Sequence, residues 1–224
     1  MNLTEAIILI NEIEWKTSNN LVEYDFAVSE MKKRVLKIKK NSAFEMVWLL
    51  EHNSIFTAGT SAKLEDLKNS KVNFQYTGRG GQWTWHGPGQ RVVYLMLNLN
   101  NRLQDVKAYI YALEDLIILT LKDFHIDGLR IKGQPGVWAK DNNGYNKIAA
   151  LGIRISSWIT FHGISINVNP NLDEFSNIIP CGIKNSGVTS FHKLGKKISL
   201  KELDISFKKN FNKVFGDEGL FKLK

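Results

Sequence analysis

Gly78-Arg79-Gly80-Gly81-Gln82-Trp83-Thr84-Trp85-His86-Gly87-Pro88-Gly89-Gln90 is the stretch from which the rest of the chain can be read. Its glycines permit positive φ and let backbone N–H groups approach a ligand with no Cβ in the way, and Pro88 between Gly87 and Gly89 fixes a turn. Backbone donors, the Arg79 cation and the His86 imidazole thus converge on one spot. Gly-Pro clusters also make plain surface connections, but flexible linkers seldom carry two Trp, a His and an Arg. Residues 72–76 before the stretch and 91–99 after it read as strands. The surroundings are therefore strand, loop, strand, with the loop at a sheet edge.

Towards the N-terminus, residues 44–50 read as a buried strand closing on Glu51-His52, with Thr57-Ala58-Gly59 beyond. A polar pair ending a core strand suggests the edge of a site, although His52 alone reads as a hydrogen-bonded structural histidine. Residues 21–38 carry apolar side chains at helical spacing, and residues 6–15 form a mainly apolar strand. The basic run Lys32, Lys33, Arg34, Lys37, Lys39 and Lys40 is either a solvated helix face or a docking patch for an acidic partner.

Towards the C-terminus, apolar positions recurring at three and four predict an amphipathic helix over 106–124. Residues 136–139 and 147–155 flank a polar turn and read as a hairpin, with Lys147 at the mouth of its second, almost wholly apolar strand. A strand over 161–168 opens on His162-Gly163, a helical turn follows near 172–175, and Pro180-Cys181-Gly182-Ile183 forms a turn. Ser199 and Glu202 make a capping box for a final helix that stops at Gly216. Helices and strands alternate irregularly, without repeats or a linker. The pattern predicts one domain over 1–224, a mixed sheet with packed helices and not a doubly wound fold.

The composition, 43% hydrophobic and 23% charged over 224 residues, is that of a globular protein and excludes a fibre or a disordered chain. The start lacks the basic segment of a signal peptide, and the apolar run at 6–10 is too short to span a bilayer, so a soluble cytoplasmic protein is expected. Cys181 is the single cysteine, which excludes an intrachain disulfide. The net charge of +8 suits an acidic partner and also plain solubility. At this level nucleic acid, an anionic membrane and an acidic carrier protein stay open.

A lone cysteine is core filler or chemistry. Here it has companions: Lys147 at a strand edge, His86-Gly87, His162-Gly163 and the glycine-rich stretch. A thiol of pKa about 8.5 is a few per cent thiolate at neutral pH, and a neighbouring ammonium raises that fraction. Cysteine and lysine thus make a workable nucleophile and base.

Arg79-Gly80-Gly81-Gln82, Thr84, His86-Gly87-Pro88-Gly89-Gln90, Gly136-Val137-Trp138, Lys147-Ile148-Ala149-Ala150-Leu151-Gly152, Phe161-His162-Gly163, Asn167-Val168 and Pro180-Cys181-Gly182-Ile183 resemble, in order, the motifs of the lipoyl (octanoyl) transferases. The resemblance spans roughly residues 49–190. It implies transfer of an octanoyl group from acyl carrier protein to a lysine of the lipoyl domains of 2-oxo acid dehydrogenase E2 subunits and of glycine cleavage H protein. It also implies Cys181 as the acyl-thioester nucleophile and Lys147 as its acid-base partner. Arg79, Gly80, Gly81, Gln82, Trp83, Thr84, Trp85 and His86, with Ala150, Leu151, Gly152, Gly163, Ile164 and Ser165, would line the acyl site, and His86 and His162 would orient or hydrogen-bond. The implied fold is α+β, with a mixed, mainly antiparallel sheet like that of biotin and lipoate protein ligases. No metal and no nucleotide cofactor are implied. Trp83, Trp85, the long turn at 140–146 and Ser165-Ile166 depart from the family pattern, which bears on the shape of the acyl pocket.

Physical needs shape the expected mechanism. Thioester exchange onto Cys181 keeps the acyl group activated, so no ATP is required. Lys147 can protonate the departing thiol and later deprotonate the incoming lysine if the apolar strand lowers its pKa. Backbone N–H groups of the glycine-rich segments are candidates to hold the oxyanions. Three rivals make other predictions. An ATP-dependent lipoate or biotin protein ligase would need no cysteine, a non-enzymatic nucleic-acid binder would bind in a salt-sensitive way, and a cysteine hydrolase would pass the acyl group to water.

Overall fold

The computed structural model describes residues 13–142, 144–179, 187–216, 219 and 221. Its strands are β1 (Ile13–Thr17), β2 (Glu45–Leu50), β3 (Ile55–Ala58), β4 (Phe74–Tyr76), β5 (Trp83–His86), β6 (Gln90–Met96), β7 (Gly128–Ile131), β8 (Gln134–Asp141), β9 (Gly144–Ser156) and β10 (Ile159–Asn167). The helices are α1 (Tyr24–Lys39), α2 (Val106–Lys122) and α3 (Leu200–Phe215). β1 is the described end of the strand expected at 6–15.

Seven strands form one sheet in the order β1-β2-β6-β10-β9-β8-β7. β1 and β2 run parallel because α1 carries the chain back between them, and every other pair in this sheet is antiparallel. The sheet is covered on both faces, as period-two alternation in β2 and β6 requires. Met46, Trp48, Val92, Tyr94 and Met96 meet Ala27, Met31, Val35 and Ile38 of α1. Val47, Leu49, Val93 and Leu95 meet Leu113, Leu116 and Ile117 of α2 and Phe207 and Phe211 of α3. The expected capping box starts α3: Glu202 N–H donates to Ser199 Oγ at 3.2 Å and Ser199 N–H to Glu202 Oε2 at 2.8 Å, a device worth about 1 kcal/mol. The lysines of the basic run on α1 are exposed. Among the described residues no helix is long and apolar enough to cross a membrane.

A second, three-stranded sheet of order β4-β3-β5 corrects the reading of 78–90 as one loop. Residues 83–86 of that stretch are β5, an edge strand antiparallel to the central β3 in the register Phe56 to Trp85 and Thr57 to Thr84. Trp-Thr-Trp-His is itself a period-two strand. Trp83 and Trp85 are buried with Phe56, Phe175 and Ile178, and Thr84 and His86 take the opposite side. Glycines at both ends mask this signal in the sequence. The turn expected at Gly87-Pro88-Gly89 is present, with Gln90 N–H donating to Gly87 O at 3.2 Å.

Candidate active site

The two sheets enclose a cavity of about 480 Å³, within the size range of small-molecule sites. Its floor is β9 and β10, paired in the register Ala150 to Ser165 and Gly152 to Gly163. Its roof is the segment 79–86. β8 leaves β9 after Ala149, and in the register described residues 151–156 of β9 pair with β10 alone. Gly80 N–H fills part of that open edge, donating to Ile153 O at 3.0 Å. A Cβ on Gly80 would stand 2.8 Å from the same oxygen, so the approach requires glycine.

Arg79, Gly80, Gly81, Gln82, Trp83, Thr84, His86, Ala150, Leu151, Gly152, His162, Gly163, Ile164 and Ser165 all line the cavity. Trp85 lies elsewhere: its ring packs edge-on against Phe175 at 5.6 Å and its Nε1–H donates to Ser54 Oγ at 2.9 Å. Tyr24, Val92, Tyr94, Val106, Ile110 and Pro135 also line the cavity and were not anticipated. They come from α1, β6, the start of α2 and the start of β8, and only the tertiary arrangement brings them together.

Arg79 holds the roof in place. Its Nη2 donates to Thr57 O at 2.6 Å, Thr57 Oγ1 at 2.8 Å and Gln82 O at 2.7 Å, its Nη1 to Gly80 O at 3.0 Å, and its Nε to Thr57 Oγ1 at 3.1 Å. One guanidinium thus donates to three backbone carbonyls and ties the roof to β3. The backbone amides expected to hold an oxyanion are partly committed already. Gly80 N–H binds Ile153 O as above, and Gly89 N–H donates to Glu51 Oε1 at 2.7 Å.

Lys147 is buried on β9 and lines a smaller cavity of about 20 Å³ with Gln90, Asn167, Thr84, Ala150 and Ser165. The last three also line the large cavity, so the lysine stands behind one end of it. Its Nζ lies 4.8 Å from the centre of the Trp138 ring. Gly136, at φ +116°, makes room for the lysine stem, since a Cβ there would lie 2.7 Å from Ala149 O and 3.2 Å from Lys147 Cε. Lys147 N–H donates to Gly187 O and Thr189 N–H to Lys147 O, both at 3.0 Å. Cys181 lies outside the described residues, six positions before Gly187.

Three imidazoles are buried in and beside the large cavity: His86 and His162 line it, and the His52 ring lies 5.8 Å from that of His86. His52 Nδ1–H donates to Val22 O at 2.6 Å and its Nε2 accepts from the Tyr94 hydroxyl at 2.7 Å, which is the structural role expected of it. His86 Nδ1 meets Gln90 Oε1 at 2.7 Å. His162, in the left-handed region at φ +59°, keeps its Nδ1 buried without a hydrogen-bond partner among the described residues. Burial pushes the His52 ring down to about 4 and the His86 and His162 rings to about 3, with His52 adding to the effect at His86 and Arg79 at His162. All three are neutral at physiological pH.

The described residues thus bring together an apolar cavity, a glycine-arginine roof over it and a buried lysine behind one end. The family model of the lipoyl protein ligase A/B catalytic domain matches residues 23–212. The chain is 50% identical to the octanoyltransferase of Bartonella tribocorum over 221 residues, covering 94% of this chain and 90% of that protein. It is 47% identical to the octanoyltransferase of Wolbachia pipientis over 203 residues, covering 90% and 99%. The chain therefore belongs to the lipoyl protein ligase A/B catalytic-domain family and, within it, to the octanoyltransferases.

Solved structures agree on the fold. A lipoate-protein ligase A bound with ATP superposes with a TM-score of 0.67 at 11% identity, covering 89% of this chain and 85% of that one. A bipartite lipoate protein ligase of Thermoplasma acidophilum gives 0.64 at 12%, covering 90% and 84%. The biotin protein ligase of Aquifex aeolicus with biotin and ATP gives 0.53 at 17%, covering 91% and 72%. The expected α+β ligase-like architecture with a mainly antiparallel sheet is the one found.

Proposed function

We propose that this protein moves an octanoyl group from octanoyl-acyl carrier protein to a lysine of lipoyl domains, through a thioester on Cys181 with Lys147 as proton donor and acceptor. The observation that carries the proposal is Lys147 itself, buried against Thr84, Ala150 and Ser165 where its cavity meets the larger one. An acyl chain lying along β9 and β10 would bring its carbonyl to that junction. Gly187, bonded to Lys147 and close in sequence to Cys181, supports the pairing of thiol and amine.

The chemistry runs in two balanced steps. The Cys181 thiolate attacks the carrier thioester, the carbon–sulfur bond to the carrier breaks, and Lys147 gives a proton to the departing thiol. The acceptor lysine, having lost a proton to Lys147, then attacks the enzyme thioester, forming the amide and releasing the thiol. Seven carbons beyond the carbonyl, at about 0.8 kcal/mol each, offer on the order of 5 kcal/mol of burial.

The test is transfer to an apo lipoyl domain with no nucleotide present, comparing octanoyl and butyryl carrier proteins. The reading predicts ATP-independent product and a strong preference for octanoyl. A requirement for ATP, the molecule bound in the related ligase structures, would overturn it.

A further inference from the structure

Gln90 and Asn167, which sit beside Lys147 in the small cavity, make a hydrogen-bond relay whose polarity is fixed at both ends. Asn167 Nδ2–H donates to Thr189 O at 3.0 Å, and a carbonyl can only accept, so Asn167 Oδ1 must face the other way. That oxygen accepts from Gln90 Nε2–H at 2.9 Å, and the same Gln90 nitrogen donates to Trp85 O at 3.3 Å, a second carbonyl anchor. Gln90 Oε1 is then the atom turned to His86, 2.7 Å from Nδ1. An amide oxygen accepts, so Nδ1 carries the proton, and in a neutral imidazole Nε2 is left as a lone pair. His86 lines the large cavity, and no described side chain or backbone group donates to its Nε2.

Of the two groups joined in the discharge step, the acyl chain carries no N–H or O–H donor and its carbonyl oxygen only accepts. The incoming primary amine of the acceptor lysine does carry N–H donors. We infer that Gln90 and Asn167 are positioning residues which hold His86 with Nε2 unprotonated, so that His86 accepts a hydrogen bond from the acceptor amine and aims its lone pair at the thioester. The inference rests on the transfer reading above for the identity of the amine, but not for the relay. His86 acts as an acceptor and not as the base: its ring, with Tyr24, His52, Arg79 and His162 around it and burial as the main cause, is pushed down to about 3. A nitrogen so weakly basic orients the amine and leaves the proton to Lys147.

The experiment is long-range nitrogen–proton NMR of the histidine rings in the full chain, with and without n-butylamine as probe, followed by single-turnover discharge of the octanoyl enzyme. The expected spectrum shows His86 protonated at Nδ1 only, unchanged from pH 5 to 9, with an Nε2 resonance that moves when butylamine is added. Gln90→Leu should let the Nε2–H form appear and slow discharge about tenfold, more than it slows adduct formation. Gln90→Glu keeps an acceptor for Nδ1–H but places a carboxylate beside the ring, so it should preserve the tautomer and add an acid limb to the discharge profile that the unaltered chain lacks. An Nε2–H ring in the unaltered protein, an Nε2 insensitive to butylamine, or normal discharge by Gln90→Leu with a switched tautomer would each overturn the inference. Should Gln90→Leu not fold, the unaltered spectrum and the Gln90→Glu profile still decide it. A chain that forms no octanoyl product would sink the transfer reading, while the ring spectrum would still test the relay.

Discussion

The floor and the roof of the cavity are built in different ways. The floor, β9 and β10, lies within a seven-stranded sheet whose ladder and two apolar faces hold it wherever side chains repeat with period two. The roof has one short strand, β5, and beyond it rests on a few backbone bonds and on one guanidinium that binds three backbone carbonyls. Lys147, the proposed proton carrier, belongs to the floor, and the glycines proposed to cover the acyl chain belong to the roof. Chemistry and containment should therefore fail separately.

The largest expected effect sharpens the chemical half. Lys147→Met keeps the buried stem against Gly136 and Trp138 while removing the proton donor. Transfer should fall by about 10² to 10⁴, with the unfolding midpoint in urea almost unmoved. A large loss of stability with rates intact would reverse the assignment of Lys147 to chemistry.

Arg79→Met should do the opposite. It removes the guanidinium hydrogen bonds to Thr57 O, Gly80 O and Gln82 O, the last of which keeps the Gly59 N–H, so stability should drop by about 2 kcal/mol, and octanoyl carrier protein should bind more weakly while the chemical step per bound substrate survives. Urea titration together with the separate kcat and KM of the variant measures both. An unchanged KM would mean that the roof does not contain the chain.

The smallest effect concerns the three buried histidines. Their folded pKa values, about 4 for His52 and about 3 for His86 and His162, lie below the unfolded value. As pH falls below about 6.5 the unfolded chain takes up protons that the folded chain refuses, so stability is lost on acidification. Asp204, raised to about 6 by burial, works the other way, because its unfolded carboxyl ionises first as pH rises. From pH 7 to 6 the three rings outweigh the one carboxyl, and a net loss of about 2 kcal/mol is expected in urea unfolding. His162→Gln should recover part of it. Stability that rises over that interval would mean the rings are not held neutral.

The same contrast explains what the sequence could reveal. The hairpin of β8 and β9, the capping box at Ser199 and the strand bearing His162 rest on local periodicity and local caps, and all appear where expected. β5 was missed because four alternating residues sit between glycines that signal a turn. Trp85 was expected at the acyl site for the same reason: without the strand, nothing tells its side from that of Thr84 and His86. Arg79 was legible as a cation near the site, but its attachment to Thr57 depends on a strand pairing that the chain does not advertise locally. Tyr24 and Tyr94 reach the cavity through the packing of α1 on the sheet.

The most direct test of the covalent account is the intact mass of the protein after brief exposure to octanoyl-acyl carrier protein without ATP, followed by addition of an apo lipoyl domain. The account predicts one octanoyl group per chain, mapped by peptide mass to Cys181, lost when the acceptor is added, and never formed by Cys181→Ala. A Cys181→Ala protein that still octanoylates the lipoyl domain would contradict it.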